Sequence, residues 1–500
     1  MRVVAVALFA VLPCVVSAQE TPADLLAAAK AHYDGRRYKD ALAAYEKARA
    51  AAETAGDQVL AARAKLGVIS LKTMYGQLDE GIVLAREAYA TFEAAGDARG
   101  LAGALQHLGN LHIGAGKFAA AADYYRKCAA VPEGGRKAVC LERLGGAEES
   151  LGQYREALAT LREAIATAIA ANDRFVHASA LAGIGDVYRS QGNADLAVQY
   201  DQKALRMFRD LGNTSNASGT LNNLGITYNL MGRPDLALEV YRENLALLEG
   251  LKYTRGINIT RMNIAATLIN LRRDEEAAPI LGELLPELER NKDPNSRANV
   301  WRLLAIIDER RGDLSKALER AVASTAEPTD EITDVYLGHA LLGHLYRKLG
   351  RVDEARVSLA AAIDAIETMH GHTTTGQVHF FDERSDAYAE MAALAIGEGH
   401  IEEALEYAER YRSRVLIDVL RSAPEDRLRV LTDDDPRLRV QRGTPRPIAA
   451  GEIASRVPAE AALVEYLVTD ETTYAFVISG GTVAVRAIDV DRDALAKEAE

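Results

Sequence analysis

The chain has 500 residues and a net charge of -13; 48% of its residues are hydrophobic and 26% are charged. This composition is typical of a soluble protein with room for several folded units. The acidic balance argues against nucleic acid as a partner, because proteins that bind nucleic acid need a basic surface.

Residues 1–18 have the pattern of a signal peptide. An arginine at the second position precedes an apolar run, Val3–Val16, which is too short for a comfortable membrane span. The small residues Val16-Ser17-Ala18 suit a signal peptidase, so Gln19 is the predicted mature N-terminus. A lipid-attached start at Cys14 is the alternative, although the proline before it fits that pattern poorly. We therefore expect an exported bacterial protein, periplasmic or secreted.

The segment Asn222–Tyr241 predicts two helices joined by a short turn. Gly232 fits the C-terminal cap of the first helix, and Pro234 fits the first turn of the second. Gly225 and Ala237 lie on the two predicted helices. Both are small enough to let the helix backbones approach closely.

This pair of small residues recurs at steps of about 40 residues, with the second member at the same offset after the first. The first positions are Ala29, Ile69, Gly109, Gly145, Gly185, Gly225, Ala265, Ala305, Gly343 and Ala392. The second positions are Ala41, Gly81, Ala121, Ala157, Ala197, Ala237, Ala277, Ala317, Ala355 and Ala404. Such a period predicts an α-solenoid of about ten helix pairs over residues 19–422, each pair burying its apolar faces on its neighbours. Ile69 is large for its site, so we expect the second pair to be distorted.

Further residues carry a resemblance to the tetratricopeptide repeat family. Apolar-Gly steps occur at Leu108-Gly109, Leu144-Gly145, Ile184-Gly185, Leu224-Gly225 and Leu342-Gly343. Turn glycines follow at Gly116, Gly152, Gly192, Gly232, Gly312, Gly350 and Gly399. The period is longer than usual for the family and resembles the long repeats of kinesin light chains. The additional turn residues are expected at Gly56-Asp57, Gly96-Asp97, Asn172-Asp173 and Gly212-Asn213. The resemblance implies a right-handed solenoid whose concave groove, lined by the first helix of each pair, binds a peptide or protein.

The candidate groove residues are polar side chains on the predicted first helices: Asn222, Asn223, Asn229, Asn263, Arg189 and Arg302. Asparagine amides donate and accept hydrogen bonds, as an extended peptide backbone requires. In long-repeat relatives an asparagine ladder holds a peptide, and Asn223 and Asn263 match its positions. Solvated helix surface or bonding between helices is the alternative. Acidic residues on the same side, among them Glu149 and Asp186, argue against an acidic ligand.

Two cysteines remain after the predicted cleavage, Cys128 and Cys140. They fall on consecutive predicted helices, and an exported protein can form disulfides. A disulfide between them and two small buried thiols both remain open.

The segment Met369–Asp382 interrupts the repeat and contains His370, His372 and His379. A polar loop is the favoured interpretation, because no carboxylate or cysteine stands at a familiar zinc-ligand spacing. No cofactor or metal is expected elsewhere, since the chain has no HExxH, GxSxG or Rossmann glycine pattern.

The last predicted helix runs to about Leu420, past the usual end of a repeat. Residues 423–450 then form a proline-punctuated linker. Three strands are predicted over 462–468, 473–478 and 482–487, with Gly480-Gly481 as a hairpin turn. Asp491 begins a predicted helix. Three strands cannot bury a core of their own, so this piece either packs on the solenoid or belongs to a domain that continues.

Residues 402–500 resemble the start of a CHAT domain, the caspase-like peptidase domain found behind tetratricopeptide repeats in bacteria. The resemblance lies in the helix ERYRSRVLIDVL, the linker, and the strand TYAFVI after EIASRVPAEAALVEYLV. It implies a histidine–cysteine dyad, but the last histidine is His400 and the last cysteine is Cys140, so neither can be placed. Two functions therefore remain: an exported binding scaffold, or the sensor half of a peptidase whose catalytic residues lie beyond residue 500.

Overall fold

The computed structural model describes residues 20–132, 135–329, 332–371, 387–422, 449–458, 461–469 and 472–490. The predicted signal peptide, most of the linker and the helix from Asp491 lie outside the described residues. So do His372 and His379, and of His370 only the backbone is described. The chain divides into two compact units, unit 1 up to Ala147 and unit 2 from Glu148.

The described residues form ten consecutive helix pairs, as the sequence predicts. Their bounds are α1 Pro22–Asp34, α2 Tyr38–Thr54, α3 Gln58–Met74, α4 Leu78–Ala95, α5 Ala98–Gly114, α6 Phe118–Ala129, α7 Lys137–Ser150, α8 Tyr154–Ala170, α9 Arg174–Ser190, α10 Ala194–Asp210, α11 Thr214–Leu230, α12 Pro234–Leu251, α13 Thr254–Asn270, α14 Asp274–Arg290, α15 Pro294–Arg310, α16 Leu314–Ala326, α17 Ile332–Lys348, α18 Val352–Gly371, α19 Ala387–Gly397 and α20 Ile401–Ser422. The boundary between the units falls within α7.

Turn chemistry fixes where the helices end and begin. The predicted turn glycines adopt left-handed backbone, for example Gly232 at φ 65° and Gly312 at φ 81°, a conformation that glycine accepts without strain. At the other end of each pair, Asp97 and Asp173 accept hydrogen bonds from the first turns of α5 and α9, both at 3.0 Å. These caps satisfy N–H groups that have no acceptor within their own helix.

The small residues predicted for helix contact are buried in all ten pairs. In unit 2, Gly225 of α11 lies against the ring of Tyr241 from α12. An added Cβ at Gly225 would come within 2.4 Å of a ring carbon. The small residue therefore makes space for a large one on the facing helix. This pairing of a small with a large residue allows the two backbones to approach closely.

The expected distortion of the second pair does not occur. Helices α3 and α4 are regular and have 17 and 18 residues. Ile69 is fully buried in a cluster with Leu108 and Leu111. Gly81 in turn leaves room for Leu111, since an added Cβ there would lie 2.6 Å from that side chain. The larger residue on one helix is thus accommodated by a smaller one on its neighbour.

The C-terminal segment packs on the last helix pair. A short helix, α21 Ala450–Arg456, precedes an antiparallel sheet of β1 Ala462–Val468, β2 Thr473–Ser479 and β3 Thr482–Ile488, in the order β1-β2-β3. Gly480 and Gly481 both have positive φ and form the predicted two-residue hairpin turn. One face of the sheet, including Leu467 and Phe476, is buried with Leu405 of α20 and Ile453 of α21.

Candidate functional site

The predicted groove residues lie on successive first helices of unit 2. Arg189 lies on α9, three asparagines on α11, Asn263 on α13 and Arg302 on α15. First helices contact each other directly, for example α9 with α11 and α15 with α17. This layer of first helices therefore forms a continuous surface on which side chains from different repeats can meet.

The asparagines bond to one another and to polar neighbours across repeats. Asn263 Nδ2 donates to Asn222 Oδ1 at 2.8 Å, and Asn229 Nδ2 donates to Thr267 Oγ1 at 2.9 Å. Asn223 Nδ2 donates to Asp186 Oδ1 at 2.9 Å. These bonds connect α9, α11 and α13, so bonding between helices, one of the alternatives for these residues, is present. We call the surface formed by these six residues the ladder face.

The ladder amides keep part of their hydrogen-bonding capacity. Asn223 and Asn263 are half-buried, and each donates one N–H of its amide to an interhelical hydrogen bond. Within the described residues, neither Oδ1 accepts a hydrogen bond. An amide can make up to four hydrogen bonds. Both side chains are therefore held in a fixed orientation while their oxygens remain available as acceptors.

Arg189 is neutralised rather than free to add positive charge. Its guanidinium contacts the carboxylates of Asp186 and Asp201, the latter at 3.4 Å, and only 13% of its side chain is exposed. Next to it, the Ser190 hydroxyl donates to Glu149 Oε1 at 2.6 Å. Three carboxyl groups thus surround one arginine, and this end of the face favours cations.

Asp201 is a fully buried carboxyl group beneath this end of the face. Burial and the nearby charge of Asp186 raise the pKa of Asp201 to about 8, although Arg189 opposes the shift. Burial also raises the pKa of Glu149. Both shifts follow from the high free energy of a carboxylate removed from water.

A second polar cluster, which the sequence analysis did not identify, connects α15, α17 and α19. The two ring nitrogens of His344 lie 2.9 Å from Glu309 and 2.9 Å from Glu390. Arg347 Nε donates to Glu390 at 2.5 Å, and Lys348 Nζ lies 2.8 Å from Glu309. These charged groups continue the interhelical bonding beyond the asparagines.

The charges of this cluster fix its protonation. Burial alone would lower the pKa of His344, but its bonds to Glu309 and Glu390 raise it to about 9. Burial alone would raise the pKa of Glu390, but His344 and then Arg347 lower it to about 2. The histidine is therefore an imidazolium that donates from both nitrogens. The only sequence signal for it is its place directly after Gly343 of the small-residue series.

The arginines of α15 are also engaged. Arg302 donates to Asn299 Oδ1 of its own helix at 2.8 Å. Arg310 donates to the Ile269 carbonyl at 2.7 Å and to Asp274 at 3.0 Å. Arg310 thereby adds a bond to a carbonyl at the C-terminal end of α13, which also accepts from the Arg272 backbone N–H at 3.0 Å.

In unit 1, Cys128 and Cys140 are buried and lie on consecutive helices. Their Cα atoms are 5.9 Å apart, a separation within the usual range for a disulfide. Disulfide formation in the native protein remains a prediction.

Among the described residues, no group of three or more His, Cys, Asp and Glu side chains is arranged to hold a metal ion. In the same part of the chain, no helix is both long and apolar enough to cross a membrane.

Comparison with known families identifies the repeats. Models of the tetratricopeptide repeat match residues 176–250, and also residues 102–132 and 338–368. The chain therefore contains tetratricopeptide repeats. No curated protein has a sequence that matches it.

Several solved structures resemble this one. A signal transduction ATPase with a tetratricopeptide repeat sensor from Pyrococcus horikoshii is 16% identical, with a TM-score of 0.48; the match covers 67% of this chain and 54% of that protein. A Rap protein complexed with competence and sporulation factor is 12% identical, with a TM-score of 0.49 and coverage of 70% and 99%. The quorum sensor NprR from B. thuringiensis is 17% identical, with a TM-score of 0.47 and coverage of 68% and 97%.

Proposed function

We propose that the ladder face binds an extended peptide or protein segment and that the chain acts as a protein-interaction scaffold. The observation that carries this proposal is the pair Asn223 and Asn263. They occupy equivalent places in successive repeats, each is oriented by an interhelical bond, and each presents an acceptor oxygen. Packed helices lie about 8–10 Å apart, which is about three residues of extended chain at roughly 3.3 Å per residue. Backbone N–H groups three residues apart in a bound peptide therefore suit the two oxygens.

The charge near α9 favours a basic ligand. Asp186, with 39% of its side chain exposed, and Glu149 stand beside a single arginine that is largely buried. An acidic segment would meet repulsion there, whereas a lysine or arginine side chain would be attracted. The proposed ligand is therefore an extended segment that carries a basic side chain at its α9 end.

Replacing both ladder asparagines, Asn223→Ala with Asn263→Ala, tests the proposal. An array of peptides of varied charge first supplies a binding sequence, whose affinity is then measured by fluorescence anisotropy. Each lost hydrogen bond is worth about 1 kcal/mol, so we expect the affinity to fall about 10- to 100-fold. Asn270→Ala, at an exposed position on α13, is the matched control. Unchanged affinity of the double variant with an intact circular dichroism spectrum would contradict the proposal.

We also propose that the protein is exported after cleavage behind Ala18, which is supported by the apolar run and small residues at the N-terminus. The intact mass of the protein from its own cells should be lower by the mass of the first 18 residues. An unprocessed mass would disprove export by this route. Comparison of this mass with and without reductant also tests the cysteine pair, because a disulfide lowers the mass by two hydrogen atoms.

A second candidate function is that the repeats recognise a partner and thereby control a CHAT-type peptidase domain. Two observations favour it. Helix α20 continues to Ser422 and has 22 residues, where most of the helices have 17. The sheet packs on this same pair, so the repeats and the C-terminal segment are joined through one core.

Two measurements separate this function from the scaffold. The native protein should exceed the mass of residues 19–500 by a domain of about 100–200 residues, and it should show peptidase activity that iodoacetamide abolishes. A native mass equal to residues 19–500 would rule the peptidase out and leave the scaffold.

A further inference from the structure

The charged cluster of α15, α17 and α19 belongs to the same surface as the ladder asparagines. Arg347 follows the small residue of its helix by four positions, as Asn229 does. Glu390 precedes the small residue of its helix by two positions, as Asn223 does. Equivalent positions of stacked repeats lie on the same side of a solenoid. The ladder face is therefore continued by α17 and α19.

The end of this surface at α15 and α17 has more positive than negative charge. Burial alone would raise the pKa of Glu309, but its bonds to His344 and then to Lys348 lower it to about 2. Glu309 and Glu390 are thus both carboxylates. They lie among four cationic side chains: Arg302, His344, Arg347 and Lys348. Within the described residues, this end of the surface therefore has a surplus of two positive charges.

The remaining charges of α15 compensate each other in pairs. Arg310 lies 3.0 Å from Asp274. Asp308, which is only 2% exposed, lies 2.6 Å from Arg320 of α16. Neither pair changes the surplus of positive charge that the four cationic side chains create.

An uncharged region separates this basic end from the acidic end at α9. Helix α11, which carries three of the ladder asparagines, contains no charged residue. On α13, Arg261 pairs with Glu283 of α14. At α9, Asp186 is partly exposed, whereas the arginine beside it is largely buried. The surface thus has opposite charges at its two ends and amides between them.

A ligand that contacts both ends must have a minimum length. Four steps between packed helices lead from α9 to α17, and packed helices lie about 8–10 Å apart. The two ends are therefore roughly 32–40 Å apart, which about ten to twelve residues of extended chain span at roughly 3.3 Å per residue. A shorter segment reaches only one of the two charged ends.

From this charge distribution we infer that the ladder face binds an extended segment with a basic side chain at its α9 end and a carboxylate at its α17 end. The carboxylate lies against Arg302, Arg347 and Lys348, the last with 31% of its side chain exposed. The inference rests on the proposed function, because it requires that this face binds a segment. A segment placed the other way round would bring like charges together at both ends, so the charges also determine the direction in which it lies.

An array of twelve-residue peptides with varied uncharged residues between their ends supplies the probe. Its end residues are lysine and glutamate in either order, lysine and glutamine, glutamine and glutamate, or glutamine twice. We expect the full chain to select peptides with lysine and glutamate. Replacing the glutamate of the best binder by glutamine should weaken binding about three- to tenfold in fluorescence anisotropy, because partly exposed charge pairs are individually weak.

Removing the cations tests the position of the carboxylate. Arg302→Gln with Lys348→Gln should abolish the difference between the glutamate and glutamine peptides and leave the affinity for the glutamine peptide unchanged. Arg242→Gln with Arg290→Gln is the matched control, since it removes the same charge from exposed positions on the second helices α12 and α14. The control should keep the difference. If circular dichroism shows that the first variant is unfolded, Lys348→Gln alone should still reduce the difference.

The carboxylate has two possible sources, a glutamate side chain or the C-terminus of the segment. Where the selected glutamate is the last residue, the glutamine peptide is compared with a free and with an amidated C-terminus. Recovery of the full affinity by the free C-terminus assigns the terminal carboxylate, and no recovery assigns the side chain.

The other outcomes separate this inference from the proposed function. Equal affinity for the glutamate and glutamine peptides would overturn the inference and leave the binding function intact. A difference that persists without Arg302 and Lys348 would also overturn it. So would a difference that is lost in the control, because the total charge would then be responsible. If no peptide of any class binds, the proposed function fails and the inference fails with it.

Discussion

Two successive repeats of unit 2 fill the same core position with opposite chemistry. In the α9–α10 pair, the carboxyl group of Asp201 lies over Gly185, where an added Cβ would come within 2.3 Å of Oδ1. In the α11–α12 pair, the ring of Tyr241 lies over Gly225 in the same relation. Both side chains are almost fully buried. The repeat therefore fixes the backbone approach but leaves the chemistry of the contact open.

The two repeats also differ in the residue of the first helix that lies next to this core side chain. Arg189 contacts Asp201 at 3.4 Å across twelve residues of sequence. In the next repeat the same spacing brings Asn229 to Tyr241, where burial raises the pKa of the tyrosine and Asn229 partly opposes the shift. Arginine thus accompanies the acid and a neutral amide accompanies the phenol. Each of the two core side chains thus faces a group suited to its charge, while Asp201 Oδ1 and Asn229 Oδ1 accept no hydrogen bond from the described residues.

Placing an aspartate at the equivalent core position of the neighbouring repeat should have the largest effect on stability. Tyr241→Asp removes a buried aromatic ring and buries a carboxylate without a cation, so we expect the free energy of unfolding to fall by at least about 4 kcal/mol. Adding Asn229→Arg should recover at least about 1 kcal/mol by recreating the pair of Arg189 and Asp201. Urea denaturation measures both changes. A single variant as stable as the unaltered chain would break the comparison.

A smaller effect is expected from closing the space above the tyrosine. Gly225→Ala places a methyl group about where the Tyr241 ring lies, and overpacking of this kind typically costs about 1–3 kcal/mol. The double variant Gly225→Ala with Tyr241→Leu reproduces the residues of the next pair, Ala265 and Leu281. It should therefore lose less stability than the sum of the two single variants. Purely additive losses in this double-mutant cycle would show that the two positions are not coupled.

A third effect should depend on pH. The pKa of Asp201 is raised in the folded chain to about 8, so the folded state holds this proton where the unfolded state has released it. Stability from this group is fully present below the unfolded pKa near 4 and is lost as pH rises through about 8. Asp201→Asn should then match the unaltered chain near pH 4 and become progressively more stable than it toward pH 9. A stability difference that stays constant with pH would contradict the raised pKa.

The sequence predicts local features of this protein well. Turn glycines such as Gly232 and caps such as Asp97 act through bonds to residues at most five positions away, so their type and order are sufficient. The strands are predicted equally well because Gly480 and Gly481 specify the hairpin. The prediction fails at Ile69, because the sequence pattern cannot show that Gly81 and Leu111 adjust to a large residue.

The candidate site could be only partly predicted. Asn223 and Asn263 stand out because they recur at a fixed step, but the sequence leaves open whether they face a ligand or another helix. The cluster around His344 has no repeated pattern at all. Its partners Glu309 and Glu390 lie 35 and 46 residues away.

By itself, the sequence determined the helix pairs, their turns and the small residues at their contacts, because these follow from bonds and packing within about one repeat. Only the tertiary structure decided which polar side chains meet. That choice depends on how far one helix is displaced and rotated against the next. Asn263 therefore bonds to Asn222, and Asn223 bonds to Asp186.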